Sequence, residues 1–302
     1  MSVPAAFVGV ILIWSTTPLA IQWSSEGAGF LFGVSARMWL GALVCLALMG
    51  ALSVPLPRHA AALRTYLAAG LDIFGAMTCV YWGAQFIPSG LISVLYGLTP
   101  MVTGLLAALW LGERAFSPAR LFGMLLGLGG LAVIFGRGLI DHQIAIPGVL
   151  AVLASVALHS VSSVWVKRIG AEISAMAVAG GGLLVAAPLY LLAWLLLDGS
   201  LPQALTPRAG AAIVYLGLMG SVVGFVLFYY VLKRMAASRI ALITLVTPVL
   251  ALWLGHVFNG ESIDAQVVAG TALILAGLAA HQWGDRLFGQ GPATVADSAQ
   301  DA

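Results

Sequence analysis

Charge is scarce in this chain. Asp, Glu, Lys and Arg make up only 8% of its 302 residues, against 61% apolar. A soluble domain carries about 25% charged residues. The shortage excludes a water-soluble globular fold and points to a bilayer. The net charge of +2 comes with no basic cluster interleaved with aromatics, so no nucleic-acid partner is expected. Cysteine is nearly absent. Cys45 and Cys79 both lie within apolar runs and are expected to pack as small apolar side chains, not as a disulfide or metal site. No Lys or Arg precedes the apolar start "MSVPAAFVGVILIW", so that run is expected to be a retained helix rather than a cleaved signal. The five histidines, His59, His142, His159, His256 and His281, are dispersed. There is no HExxH, no pair of intramembrane aspartates and no Walker lysine. No metal, no cofactor and no enzymatic activity are expected.

Long apolar runs are what the chain has. A membrane-crossing helix needs about 20 mostly apolar residues. Ten such runs lie near 4–23, 29–52, 66–87, 90–111, 119–137, 146–166, 174–197, 209–232, 239–258 and 265–284. Pro, Gly or charge punctuates the gaps, as in "SVPLPRHAAALR" (53–64) and "RGLIDHQIAIPG" (137–148). The expected fold is an all-α polytopic membrane protein of ten transmembrane helices. With the N-terminus inside, ten Lys/Arg fall on cytoplasmic segments and only Arg137 and Arg208 on the other side. That bias sets the orientation, with both termini cytoplasmic. The small polar stretch 287–302 is expected to be a disordered tail.

The chain also repeats itself. "TPMVTGLLAALWLGE" (99–113) and "TPVLALWLGHVFNGE" (247–261) are offset by 148. The same offset pairs Tyr81-Trp82 with Tyr229-Tyr230 and Ile92 with Ile240. After a one-residue gap it pairs Gly123 with Gly270 and Gly130 with Gly277. The expected units are 1–140 and 141–286, each of five helices. Five is odd, so the units must enter the membrane in opposite senses. Such inverted repeats mark secondary transporters that alternate access around a central site.

Two five-helix halves, "IWSTTPLAIQW" in the first helix, Arg37 early in the second and "TP…LGE" closing the fourth resemble the EamA-type branch of the drug/metabolite transporter superfamily. The resemblance spans about residues 5–284. It implies export of small metabolites across a bacterial inner membrane. Amino acids, aromatic or bulky and neutral, are one substrate class of such proteins; drugs or quaternary cations with proton coupling are the alternative. The implied partners are a small-molecule substrate and the lipid bilayer, with a monomer sufficient.

The residues suggest where a substrate would sit. Pro100 and Pro248 cannot donate to the carbonyls of Tyr96 and Thr244, so both helices are expected to break or kink near mid-span. Thr99 and Thr247 precede the prolines and could instead bond back to their own helices. Helix 1 offers Trp14, Ser15 and Gln22, with Pro18 on the same face; the sixth run offers Ser155, His159, Ser162 and Ser163. For the serines, interhelical hydrogen bonding is the simpler role; His159 is a candidate to face a cavity. Tyr96 is the best aromatic candidate and Tyr81 a further one, while Trp82 and Tyr230 suit an interfacial belt. Arg37 could hold a carboxylate or lock packing through backbone carbonyls. Asp72 could couple protons, or pair with a Lys or Arg at the cytoplasmic end. Gly112-Glu113 and Gly260-Glu261 are expected to end one helix and set the acid at the start of the next. The glycines of "LFGMLLGLGG" and "GLMGSVVG" are expected to let backbones approach.

Overall fold

The computed structural model describes residues 2–111, 117–140, 145–234 and 237–287. No strand occurs among the described residues. The helices are α1 (Val3–Ser25), α2 (Phe30–Ala51), α3 (Ala60–Leu71), α4 (Met77–Gly83), α5 (Ser89–Tyr96), α6 (Thr99–Leu111), α7 (Pro118–Ile140), α8 (Ile146–Ile169), α9 (Ala175–Leu197), α10 (Pro207–Tyr215), α11 (Phe225–Arg234), α12 (Ala237–Asn259) and α13 (Ala265–Leu287). A π-helical turn, Asp72–Ala76, joins α3 to α4, and a second, Leu216–Gly224, joins α10 to α11. Among the described residues six stretches are long and apolar enough to cross a membrane: α1, α2, Ser89–Leu111, α8, α9 and Pro207–Arg234.

Local chemistry sets the helix ends. Ser2, Ser174 and Thr206 each accept a hydrogen bond from a first-turn amide, those of Ala5, Ala177 and Ala209, which satisfies a donor that has no partner within the helix. His59 caps α3 through Nδ1, 3.3 Å from the amide of Ala62. That cap is why this helix begins at Ala60, ahead of the apolar run expected from 66. Gly170 ends α8 in the left-handed region at φ +60°, where a Cβ would be penalised. Leu287, the first residue of the expected tail, still belongs to α13; residues 288–302, Gly112 and Glu113 lie outside the described residues.

The packing inverts the usual soluble pattern. Leucines face outward along the helices, Leu109, Leu196 and Leu197 among the most exposed, while Arg37, Asp72, Ser155 and His159 are buried. Charge hidden inside and hydrocarbon shown outside is what a bilayer demands. The chain is a membrane protein.

Contacts between helices come in exchanged pairs. α1 packs on α12, and α8 on α6. α2 packs on the Leu216–Gly224 turn, and α9 on α3. α1 packs on α10 and α11, and α8 on α3 and α4. The contact between α7 and α13 is the most intimate. A Cβ on Gly130 would lie 2.6 Å from the carbonyl oxygen of Gly270, and one on Gly277 would lie 2.5 Å from that of Gly123. From Gly123 to Gly130 the partner's number falls from 277 to 270, so the two helices run antiparallel. The glycines matched by sequence offset are the glycines exchanged across this seam.

The two prolines behave differently. The chain interrupts at Gly97–Leu98, and Pro100 is the second residue of the restarted helix α6. α12, by contrast, continues through Pro248 without interruption, so the expected matched break is present in one half only. The two regions do adjoin: a Cβ on Gly97 would lie 3.9 Å from Pro248 Cγ.

Candidate functional site

The centre of the molecule is a polar ladder between α8 and the α3–α4 rod. A helix repeats every 3.6 residues, so Ser155, His159 and Ser162 share one face, and that face meets the rod. The Ser162 hydroxyl donates to the carbonyl of Ala68 at 2.7 Å. His159 Nδ1 lies 3.0 Å from both carboxylate oxygens of Asp72. The Ser155 hydroxyl donates to the carbonyl of Ala76 at 2.6 Å and lies 2.6 Å from the Tyr96 hydroxyl. The last two rungs fall on the π-turn, whose wider ring opens carbonyls to side chains. Tyr190 uses the same opening, its hydroxyl 2.9 Å from the carbonyls of Ile73 and Phe74.

Aromatic rings enclose the imidazole of His159. Trp14 stands edge-on at 5.9 Å between ring centroids, Phe228 at 5.4 Å and Tyr96 at 6.2 Å. Trp14 and Phe228 also touch each other at 5.0 Å. Arg37 lies close by, only 1% exposed. Its Nε donates to the Ser221 hydroxyl at 2.9 Å, and its Nη1 to the Tyr81 hydroxyl at 3.3 Å. Both partners are neutral, and among the described residues no carboxylate lies within 4.0 Å of the guanidinium. Through Tyr81 on α4, Arg37 reaches the same rod that carries Asp72. Two further hydroxyls, those of Thr99 and Tyr229, are buried with no partner among the described residues.

The EamA-like transporter family model matches the chain twice, over residues 2–136 and 146–280. The chain belongs to the EamA-like transporter family. It is therefore a transporter-family member of the drug/metabolite transporter superfamily. It is 31% identical over 279 residues to the "Probable terminal-alkyne amino-acid exporter" of Streptantibioticus cattleyicolor, covering 90% of this chain and 91% of that one. It is 25% identical over 280 residues to the "Uncharacterized transporter YoaV" of Bacillus subtilis, covering 92% and 96%. A "Probable amino-acid metabolite efflux pump" of Salmonella typhimurium is 25% identical over 288 residues, covering 92% and 94%. A solved crystal structure, described only as that of a protein, superposes with a TM-score of 0.69 at 26% identity, covering 95% of this chain and 99% of its own.

In this EamA-family chain the structure gathers Trp14, Asp72, Tyr96 and His159 into one cluster, with Arg37 and Tyr81 beside it. It redirects other expected residues. Asp72 pairs with His159, not with a Lys or Arg at a helix end, because the π-turn aims it at α8. Arg37 holds two hydroxyls where backbone carbonyls were an expected partner. Ser15 bonds back to the carbonyl of Ile11 at 2.7 Å and faces its own helix. Gln22 sits at the far end of α1, donating to the carbonyls of Ala84 and Ile87 at 3.2 and 2.9 Å. Thr99 does not bond back to its helix. Ser163 and Thr247 are buried, and the side chain of Thr244 lies outside the described residues. Phe228 and Ser221 were not anticipated. The offset of 148 would have pointed to Phe228 through its neighbour Tyr229, the match of Tyr81.

A second polar cluster closes one end of the bundle. Glu261 accepts from the amide of Ser89 at 2.9 Å, its hydroxyl at 2.6 Å and the amide of Gly90 at 3.0 Å. It therefore caps α5 in the first half, not the start of α13 as local rules suggested. Asn259 reaches the side-chain oxygen of Gln22 at 3.1 Å and accepts from Trp23 Nε1 at 3.3 Å. Gly255 is required here, since a Cβ would collide with the Glu261 carboxylate and lie 3.0 Å from Ser89 Oγ. Glu261→Gln removes the charge from this cap, which contributes about 1 kcal/mol. The expected result is a melting temperature lowered by a few degrees in detergent and faster labelling of a cysteine placed at Ala84, which is buried at this end. Unchanged labelling would show that the cap does not hold this end shut.

Proposed function

We propose that the chain exports small zwitterionic amino acids, aromatic or bulky ones in particular, from the bacterial cytoplasm across the inner membrane by alternating access. In this reading the helices form ten spans with both termini cytoplasmic. The units 1–140 and 141–286 are inverted repeats, and the protein works as a monomer in the bilayer. The exchanged helix contacts and the antiparallel glycine seam support the inversion. The observation that carries the substrate class is Arg37. A buried guanidinium with only neutral hydroxyl partners is a place where an added carboxylate would be stabilised. The ring cluster of Trp14, Tyr96 and Phe228 suits an aromatic or bulky side chain, and the unpartnered hydroxyls of Thr99 and Tyr229 offer further polar contacts. The family relatives described as amino-acid exporters agree with this class.

One observation favours the alternative. Aromatic rings beside the Asp72 carboxylate would also hold an organic cation. Purified protein in liposomes decides between them. Labelled phenylalanine should exchange across the membrane, and Tyr96→Ala should weaken its binding about tenfold, as loss of one aromatic contact and one hydrogen bond implies. Transport of tetraphenylphosphonium without transport of any amino acid would replace this reading with cation export.

A further inference from the structure

We propose that the chain carries two binding sites for an anionic phospholipid, one at each face of the membrane. Each is a groove on the flank of α1 or α8 with an arginine at its mouth.

The larger groove, about 470 Å³, lies between α1, α10 and α12, with Leu19, Leu254 and Phe258 in its walls. Its polar groups at the inner end are already spent on one another. The Thr16 hydroxyl donates to the carbonyl of Ile13 at 2.8 Å, which leaves its lone pairs to accept from the Tyr215 hydroxyl at 2.5 Å. That end has little to offer a polar solute and suits a hydrocarbon chain. The mouth differs. Arg208, the second residue of α10, lies over the Trp23 ring at 4.9 Å and holds Glu26 at 3.2 Å. The apolar stretch Pro207–Arg234 begins here, so this guanidinium stands at a membrane boundary. Tyr215 ends the same helix, about 10 Å deeper by helical rise. The flank is turned to lipid: Leu12, one turn from Thr16, and Trp253, beside Leu254, are both more than half exposed.

Glu26 does not close the mouth. The side chains of Arg208 and Glu26 are 52% and 39% exposed, and exposed pairs of this kind are weak. A phosphodiester can replace the carboxylate, meeting the planar fork with two oxygens. The indole beneath belongs at the headgroup level.

The same design recurs. A second groove, about 270 Å³, lies between α6 and α8 and is lined by Trp110, Val161, Trp165 and Arg168. α1 and α8 open the two family copies, and the offset of 148 carries Trp110 onto Phe258. Again an indole and a guanidinium share the lining, and among the described residues no carboxylate lies within 4.0 Å of Arg168. The two mouths lie at opposite faces. Gln22, near the end of α1, reaches Ala84 and Ile87. A Cβ on Gly148, near the start of α8, would lie 2.7 Å from Phe86 Cβ. α1 therefore ends where α8 begins, and Arg168 closes α8 at the other face. One anionic lipid from each leaflet fits this pattern, its phosphate on the arginine and an acyl chain along the walls.

The test uses purified full-length protein stripped of lipid in detergent. Its probes are dioleoylphosphatidylglycerol and dioleoylphosphatidylcholine, whose phosphate carries its own cation, and native mass spectrometry is the readout. Wild type should retain two phosphatidylglycerol molecules per chain, each bound about 5- to 10-fold more tightly than phosphatidylcholine, as one basic contact per mouth implies. Arg208→Ala and Arg168→Ala should each lose one molecule, and the double variant both. The two arginines are exposed, so the variants should fold, and melting without lipid checks that they do. Glu26→Gln separates recognition from packing. It frees Arg208 for a phosphate and should tighten phosphatidylglycerol binding, whereas a merely structural ion pair would make it behave like Arg208→Ala. Equal retention of the two lipids would overturn the headgroup assignment. Two molecules kept by the double variant would overturn the placement in these grooves. Glycerol phosphate bound as tightly as the whole lipid would overturn the role of the walls. Displacement of phosphatidylglycerol by phenylalanine would overturn the lipid reading and make the groove a substrate site. None of the lipid measurements involves transport, so the export reading stands or falls separately.

Discussion

Arg37→Met should weaken phenylalanine binding about 10- to 100-fold, and should weaken phenethylamine binding far less. The two compounds share the ring and the amine; only the carboxylate differs. A hydrogen bond to a charged group contributes about 1.5–3 kcal/mol, which sets the range. Arg37 is buried and its fork holds Ser221 and Tyr81, so the variant also leaves two hydroxyls without their donor. Each such loss costs about 1–3 kcal/mol of stability, and that cost strikes both ligands alike. The ratio between the ligands therefore separates recognition from folding. Arg37→Lys should fall between wild type and methionine, because an ammonium keeps the charge but cannot span two hydroxyls as a planar fork does. Binding is measured by calorimetry on purified protein, and an equal loss for both ligands would reduce Arg37 to a packing role.

The second large effect lies in the α7–α13 seam. Gly130→Leu or Gly277→Leu should abolish recovery of monodisperse protein. A Cβ at either position would sit 2.5–2.6 Å from a backbone oxygen of the opposing helix, and a backbone cannot rotate away as a side chain can. Even alanine must push the helices apart, and overpacking of this kind costs about 1–3 kcal/mol. Gly129 serves as the control. A Cβ there meets nothing within 4 Å, so Gly129→Ala should leave the melting temperature in place. Size-exclusion profiles and thermal unfolding in detergent measure both outcomes. A stable Gly277→Leu protein would show that this close approach is dispensable.

Much of this was legible in the residues themselves. The internal repeat, after its one-residue gap, located both glycine pairs of the seam, and helical periodicity identified the face of α8 that carries Ser155, His159 and Ser162. What periodicity cannot supply is the partner across the gap. Asp72 meets His159 only because a π-turn aims it there, and nothing in "DIFGA" distinguishes a wide turn from an ordinary one. Yet moving that turn by 148 places it at 220–224, inside the second π-turn, Leu216–Gly224. The distortion is thus part of the repeat. Glu261 misled for a related reason. Capping rules consider sequence neighbours, and its true partners, Ser89 and Gly90, are 172 and 171 residues away. Pro248 misled differently. Proline removes one hydrogen bond from α12, and tertiary packing keeps that helix continuous regardless.

The glycine seam has a further consequence. Gly123 meets Gly277 and Gly130 meets Gly270, while the sequence equates Gly123 with Gly270 and Gly130 with Gly277. A surface on which residue i meets j and j meets i is the signature of a two-fold symmetric dimer. The seam is thus the isologous, antiparallel contact by which two copies of a half-length chain would pair before being joined in one chain. In a single chain the two halves need not match at the centre, and here the first holds Asp72 and Arg37 and the second His159 and Ser221.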